Sequence, residues 1–263
     1  MRLAISHETL YRYDMPVRHS TQYLRLTPHS ATGQKVIDWA LELPVAADRS
    51  TDTYGNILHV LTLDYPHQEI RIKVHGTVET ETGAPEADHL PPLFFLRQTA
   101  LTAPDAALLQ FATGLRQATP SLSQLQDLVG GIREHMPFLA GETQSHTRAA
   151  DAFAKGAGVC QDHTHVFLSC ARQLGVPARY VSGYVYSPAH AADHVSSHAW
   201  AEAWLDGVWH SFDVANAVAA NDHHLKLAIG MDYLDACPIR GVRYGGGIER
   251  MTAQARVSLD GQQ

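Results

Sequence analysis

Cys160, His198 and Asp213 are the three residues whose types and order in the chain could carry nucleophilic chemistry. A thiol attacks only as its thiolate, and the partial positive charge at a helix N-terminus favours the anion. Cys160 stands at such a point. Gly156-Ala157-Gly158-Val159 leads into it, and the helix that follows would carry Val166, Phe167, Cys170, Ala171 and Leu174 on one apolar face before Gly175 and Pro177 close it. The two glycines permit a tight backbone entry that leaves the sulfur accessible. The amides around it, the Cys160 N–H among them, are candidates for an oxyanion hole.

A base for this thiol follows from a strand pair. Asp206-Gly207 is a favoured two-residue hairpin turn, and placing Leu205 opposite Val208 sets Trp200 opposite Asp213 and His198 opposite Ala215. His198 and Asp213 then share one sheet face as diagonal neighbours, roughly 7 to 8 Å apart at the backbone and within side-chain reach. A three-residue loop would put them on opposite faces instead. With the even turn, the set reads as an acyl-transfer triad: Cys160 attacks, His198 carries the proton and Asp213 orients the imidazole.

The elements that must position these residues fall into two groups. Leu3 to Tyr13, Gln22 to Thr27, Val36 to Leu43, Ile57 to Leu63 and Glu69 to Glu79 read as strands, with Ile70, Ile72, Val74 and Val78 alternating as a half-buried strand does. An antiparallel β-domain over residues 1–85 is expected. A linker over about 86–93 is expected from Thr82-Gly83-Ala84-Pro85 and Leu90-Pro91-Pro92 around it. The remainder, 94–263, opens with helices, one of them carrying Leu122, Leu125, Leu128, Val129 and Ile132 on one face although Gly130-Gly131 weakens it. A short helical segment near Asp151 to Ala154, the Cys160 helix and strands at Arg179 to Tyr186, His198 to Leu205 and Val208 to Asp213 complete an α+β domain.

Composition excludes several classes. Hydrophobic residues at 45% and charged residues at 18% describe a chain that buries a core. A net charge of -7 without long runs of one sign speaks against nucleic acid or anionic lipid as a partner. Met1 to Tyr13 lacks the apolar run of a signal peptide, and three irregularly spaced cysteines make no disulfide framework, so a cytoplasmic location is expected. Oligomeric state has no sequence signal.

The stretches Gly158-Val159-Cys160-Gln161-Asp162, Arg179-Tyr180-Val181-Ser182-Gly183-Tyr184, Ser197-His198-Ala199-Trp200-Ala201-Glu202 and Trp209-His210-Ser211-Phe212-Asp213, in that order, resemble the bacterial transglutaminase-like cysteine peptidase family. The resemblance extends to His7-Glu8-Thr9-Leu10-Tyr11-Arg12-Tyr13 and Tyr23-Leu24-Arg25-Leu26 at the front, and to Gly230-Met231-Asp232-Tyr233 and Pro238-Ile239-Arg240-Gly241-Val242 near the end. It implies a β-sandwich-like N-terminal domain and a papain-like, transglutaminase-like core whose catalytic residues are Cys160, His198 and Asp213. Val214-Ala215-Asn216 departs from the family's usual Pro-Thr-Asn, and Thr164 stands where an aromatic often follows Gln-Asp. Hydrolysis and amine transfer share one thioester, so a peptidase or amidase acting on a peptide or amide substrate and a protein-glutamine transglutaminase both fit.

Blander readings accompany the sharp one. Cys170 fits an apolar helix stripe, and Trp200, Trp204 and Trp209 serve sheet packing or a substrate groove equally well. Gln161, Trp200 and Tyr184 are the candidates for oxyanion or substrate contacts. Zinc would need Cys160, His163, His165, His194, His198, His223 and His224 to gather without any paired ligand spacing, and calcium finds no binding loop; no cofactor is expected. A catalytically silent binding module is a third class, which an intact triad opposes. Cys160→Ala is expected to abolish turnover and leave the fold intact, and Asp213→Asn to keep a small residual rate; undiminished turnover by purified Cys160→Ala protein would refute the mechanism.

Overall fold

The computed structural model describes residues 1–83, 90–187 and 197–260. Residues 86–89, half of the expected linker, lie outside these residues, as do His194 of the zinc set and the last two residues of the expected first domain. Strand β1 (Arg2–Leu24) runs unbroken through what the sequence divides into two strands, with Leu3, Ile5, His7, Thr9, Tyr11 and Tyr13 all buried at alternate positions. β2 (Gln34–Glu42), β3 (Asp48–Thr51), β4 (Ile57–Leu63) and β5 (His67–Thr80) follow. β3 is short and fully exposed, which is why its polar sequence carries no period. The expected turn at 52–56 is built on Asp52, whose Oδ1 accepts the Tyr54 and Asn56 N–H groups and whose Oδ2 pairs with Arg25 at 2.7 Å.

β1 is the spine of a seven-stranded antiparallel sheet. Thr9 pairs with Ile72 of β5 on one side and with Ala253 on the other; Ser20 pairs with Leu63 of β4 and with Arg243. The partners on the second side are β10 (Ile239–Gly245) and β11 (Glu249–Leu259), strands from the far end of the chain. The segment grouped by sequence with the second unit therefore completes the first sheet. Ala255 and Val257 add to the buried face, so β1 has no open edge.

The second layer is a four-stranded antiparallel sheet, β8–β7–β6–β9, formed by β6 (Ala178–Val185), β7 (Ser197–Leu205), β8 (Val208–Phe212) and β9 (His224–Gly230). Helices α1 (Ala106–Gly114), α2 (Leu122–His135), α3 (Ala149–Lys155) and α4 (Cys160–Gln173) precede it, and α5 (Tyr233–Ala236) follows. The order of helices and strands is the α+β arrangement expected. Ser121 caps α2 by accepting the Gln124 N–H, and its apolar stripe carries the helix through Gly130-Gly131. Residues 162–172 of α4 are all buried. Ala199, Ala201 and Ala203 face it from β7, small side chains that admit the helix close to the sheet. Tyr184, Leu225 and Leu227 pack into the core of the first sheet and join the layers. Among the described residues no helix is long and apolar enough to cross a membrane.

Arg172, near the end of α4, ties this layer together. Its guanidinium donates to the carbonyls of Phe95, Ala178 and Met231 and to the Thr102 hydroxyl at 2.6 to 3.1 Å. Arg172→Met would leave those buried acceptors unpaired and is expected to destabilise the protein by about 3 kcal/mol or more. A urea midpoint unchanged from native would contradict this.

Candidate active site

α4 begins at Cys160, with Val159 as its N-cap. The Asp162 carboxylate reaches back to accept the Val159 N–H at 2.8 Å and the Thr143 hydroxyl at 2.6 Å. This locks the first turn. Burial pushes the Asp162 carboxyl above its usual range even against those hydrogen bonds. Gly158 is needed for a reason beyond backbone freedom: a Cβ there would lie 2.6 Å from the Asp162 Cβ. The result is a partly exposed sulfur at the positive end of a fourteen-residue helix.

The β7–β8 hairpin has the even turn anticipated. Asp206 and Gly207 take φ of 53° and 84°, and Leu205 pairs with Val208. The ladder continues to Ala201 and Phe212, and there it stops. His198 never pairs with Ala215, because the Asp213 Oδ1 accepts the Asn216 N–H and Ala217 takes a φ of 54°, which turns the chain so that Asp213 bridges to Val218. The side chains meet nonetheless, with His198 Nε2 standing 2.8 Å from Asp213 Oδ2.

Asp213 has no exposure, and its Oδ2 also accepts from Asn216 Nδ2 at 2.7 Å and meets His224 Nε2 at 3.0 Å. Burial opposes its charge, but hydrogen bonds from His198, His224 and Asn216 prevail and hold the carboxyl well below the usual range. For His198, burial likewise works against the cation. Hydrogen bonds to Asp213 and Cys160, and the charges of both, outweigh it and raise the ring to about 10. With Nε2 engaged by Asp213, the nitrogen left for the sulfur is Nδ1.

Gly183 of β6 makes this gathering possible. It lies between His198 of β7 and Lys226 of β9, strands roughly 9 to 10 Å apart across it. The Trp200 ring takes the space over Gly183, and the His198 and His224 rings pack against it with 6.2 Å between their own centroids. A Cβ at 183 would meet the Trp200 ring at 2.7 Å and the Leu225 carbonyl at 2.0 Å.

The three candidate contact residues fare differently. Trp200 is 1% exposed, lies stacked on His198 with centroids 6.3 Å apart, and keeps its indole nitrogen buried without a hydrogen-bond partner. Gln161 gives its amide to the Ser145 carbonyl, 3.0 Å away, and so holds the preceding loop. The Tyr184 hydroxyl is 2.5 Å from His7 Nδ1 in the core joining the two sheets. Among its described members the zinc set does not gather. His163 donates to the Met136 carbonyl, His165 accepts the Tyr233 N–H while burial pushes it down to about 3, and His223 Nδ1 lies 3.2 Å from the Tyr186 carbonyl. Among the described residues, the histidines and acids whose ligand atoms converge are His198, Asp213 and His224, within 4.8 Å of one another. Sequence reasoning missed the contacts of His224 and Asn216 with Asp213, since no local pattern ties position 224 to 213.

Fold and site together define a class: a cysteine-based enzyme with a helix-borne thiol facing a buried His–Asp pair. Residues 3–79 match the family described as the bacterial transglutaminase-like N-terminal region, and residues 109–214 match the transglutaminase-like superfamily. The second match spans Cys160, His198 and Asp213. The chain is 29% identical over 264 residues to an uncharacterised protein of Mycobacterium leprae, covering 94% of each chain. An uncharacterised protein of Mycobacterium tuberculosis is 28% identical over 275 residues, covering 92% of this chain and 88% of that protein. A proposed cysteine protease from Cytophaga hutchinsonii shares the fold, with a TM-score of 0.82 at 20% identity over 100% of this chain and 92% of that one.

The electrostatics have a sign that can be checked. His198 rises from 6.5 to about 10 on folding, so its stabilisation is complete below pH 6.5 and is lost as the pH climbs toward 10. Asp213 is depressed, so its contribution is present above its ordinary 3.8 and fades as the pH falls below that value. Nuclear magnetic resonance of the His198 ring is therefore expected to show an imidazolium across pH 6 to 8, with no break near 6.5. A midpoint at 6.5 would contradict the assignment.

Proposed function

We propose that the protein is a cysteine-dependent acyl-transfer enzyme, a peptidase or amidase that opens peptide or amide bonds through a thioester on Cys160. The observation that carries this reading is a single imidazole held 2.8 Å from a buried carboxylate and raised in part by Cys160, which stands at the start of α4. A raised His198 beside a thiol at a helix N-terminus favours the thiolate–imidazolium pair. The thiolate attacks the substrate carbonyl, and backbone N–H groups at the start of α4 receive the developing oxyanion. His198 then gives its proton to the leaving amine as the C–N bond breaks. Asp213 stays charged and keeps the ring in register.

Water completes hydrolysis by losing a proton to His198 and attacking the thioester, which releases the acid and restores the pair. A protein-glutamine transglutaminase would use the same thioester and resolve it with an amine. Hydrolysis is our first assignment. The cytoplasm is the compartment we propose, supported by three free thiols at Cys160, Cys170 and Cys237.

Intact-protein mass spectrometry after incubation with a peptide library tests the reading. An acyl adduct on Cys160 that water releases is expected, and it should be absent from Cys160→Ala protein. Release by added amine alone would select the transglutaminase alternative. Turnover of peptides without any adduct, or with Cys160 alkylated, would overturn both.

A further inference from the structure

Asp213 is flanked by a second imidazole that the triad does not require. His224, at the first position of β9, points Nε2 at the same carboxylate oxygen that serves His198, 3.0 Å away. A carboxylate oxygen only accepts, so Nε2 carries the hydrogen that faces Asp213, while Nδ1 lies 3.2 Å from the Asn221 nitrogen and 3.1 Å from the Asn221 Oδ1. Asn221 is itself held, its Oδ1 accepting the His223 N–H at 2.9 Å. The ring meets the Trp200 indole edge to face, centroids 5.2 Å apart, and is 8% exposed.

A carboxylate without access to water stays charged only where enough donors replace its solvation. If His198 were the sole strong donor, its proton could pass to Asp213 and leave a neutral pair, which would no longer stabilise an imidazolium beside the sulfur. Asn216 supplies one further side-chain donor, and His224 supplies another. We infer that His224 is a positioning residue for the reaction, a fixed Nε2–H donor that keeps Asp213 ionised and turned toward His198. The inference rests on the proposed role of Cys160, His198 and Asp213 and adds a fourth side chain to it.

Two readouts separate this inference from that reading. The first is the His198 ring titration by nuclear magnetic resonance, which needs no reactive thiol. His224→Phe, which keeps a flat ring and removes the donor, is expected to lower the His198 midpoint by about one unit or more, the equivalent of one charge-assisted hydrogen bond. The second is iodoacetamide alkylation of Cys160 at pH 6, expected to slow about tenfold with it. His224→Gln, whose amide can still donate, should recover most of both. Thermal melting identifies folded variants, and His224→Leu serves in place of phenylalanine if the latter does not fold. A native His198 midpoint in a folded His224→Phe or His224→Leu variant would overturn the inference, as would a glutamine variant no better than phenylalanine. Native Cys160 reacting no faster than a free thiol, with the His198 shifts as expected, would fault the nucleophile assignment and leave the role of His224 standing.

Discussion

A single negative charge buried without water organises the catalytic end of this protein. Asp213 carries its charge in a place where solvation is absent, and a carboxylate there must be surrounded by donors or become neutral. His198, His224 and Asn216 converge on one of its oxygens, and the Asn216 N–H takes the other. Each donor arrives from a different piece of chain: β7, β9 and the turn after β8. The charge thus pins three segments to one another, and the His198 ring that faces Cys160 inherits its orientation from that junction.

The frame around the junction works through small residues at defined places. Gly183 leaves room for the Trp200 ring over β6, and Gly158 leaves room for Asp162 to cap α4 from within its own first turn. Ala199, Ala201 and Ala203 bring α4 against the sheet, so the sulfur at its start reaches an imidazole on β7. None of these positions does chemistry. Their contribution is absence of volume, and any added side chain at the two glycines would collide with atoms that hold the site.

The long first strand gives the molecule its continuity. β1 is paired along both sides by strands drawn from residues 57–80 and 239–259, so the two ends of the chain share one sheet while the helical layer and the second sheet lie between them in sequence. Tyr184, Leu225 and Leu227 bury themselves against that sheet, with the Tyr184 hydroxyl meeting His7. Strands β6 and β9, which frame the catalytic end, are therefore anchored at their other function: they are also the contact between layers.

Local pattern carried much of this. The helix that starts at Cys160, the alternation along β1 and β5, and the two-residue hairpin at Asp206-Gly207 each depend on neighbours within a few residues, so propensity and period alone specify them. An even turn led to the expectation that His198 and Asp213 meet, but the ladder stops at Phe212 and the turn through Asn216 delivers the carboxylate to the ring. What no local pattern could hold was the meeting of segments far apart in the chain. The pairing of β10 and β11 with β1, the burial of Tyr184 against His7, and the convergence of His224 and Asn216 on Asp213 arise only when distant strands pack. Residue types and nearby spacing determined which groups could react; tertiary packing decided which of seventeen histidines stand beside the buried carboxylate, because burial and the donors it demands are properties of the folded whole.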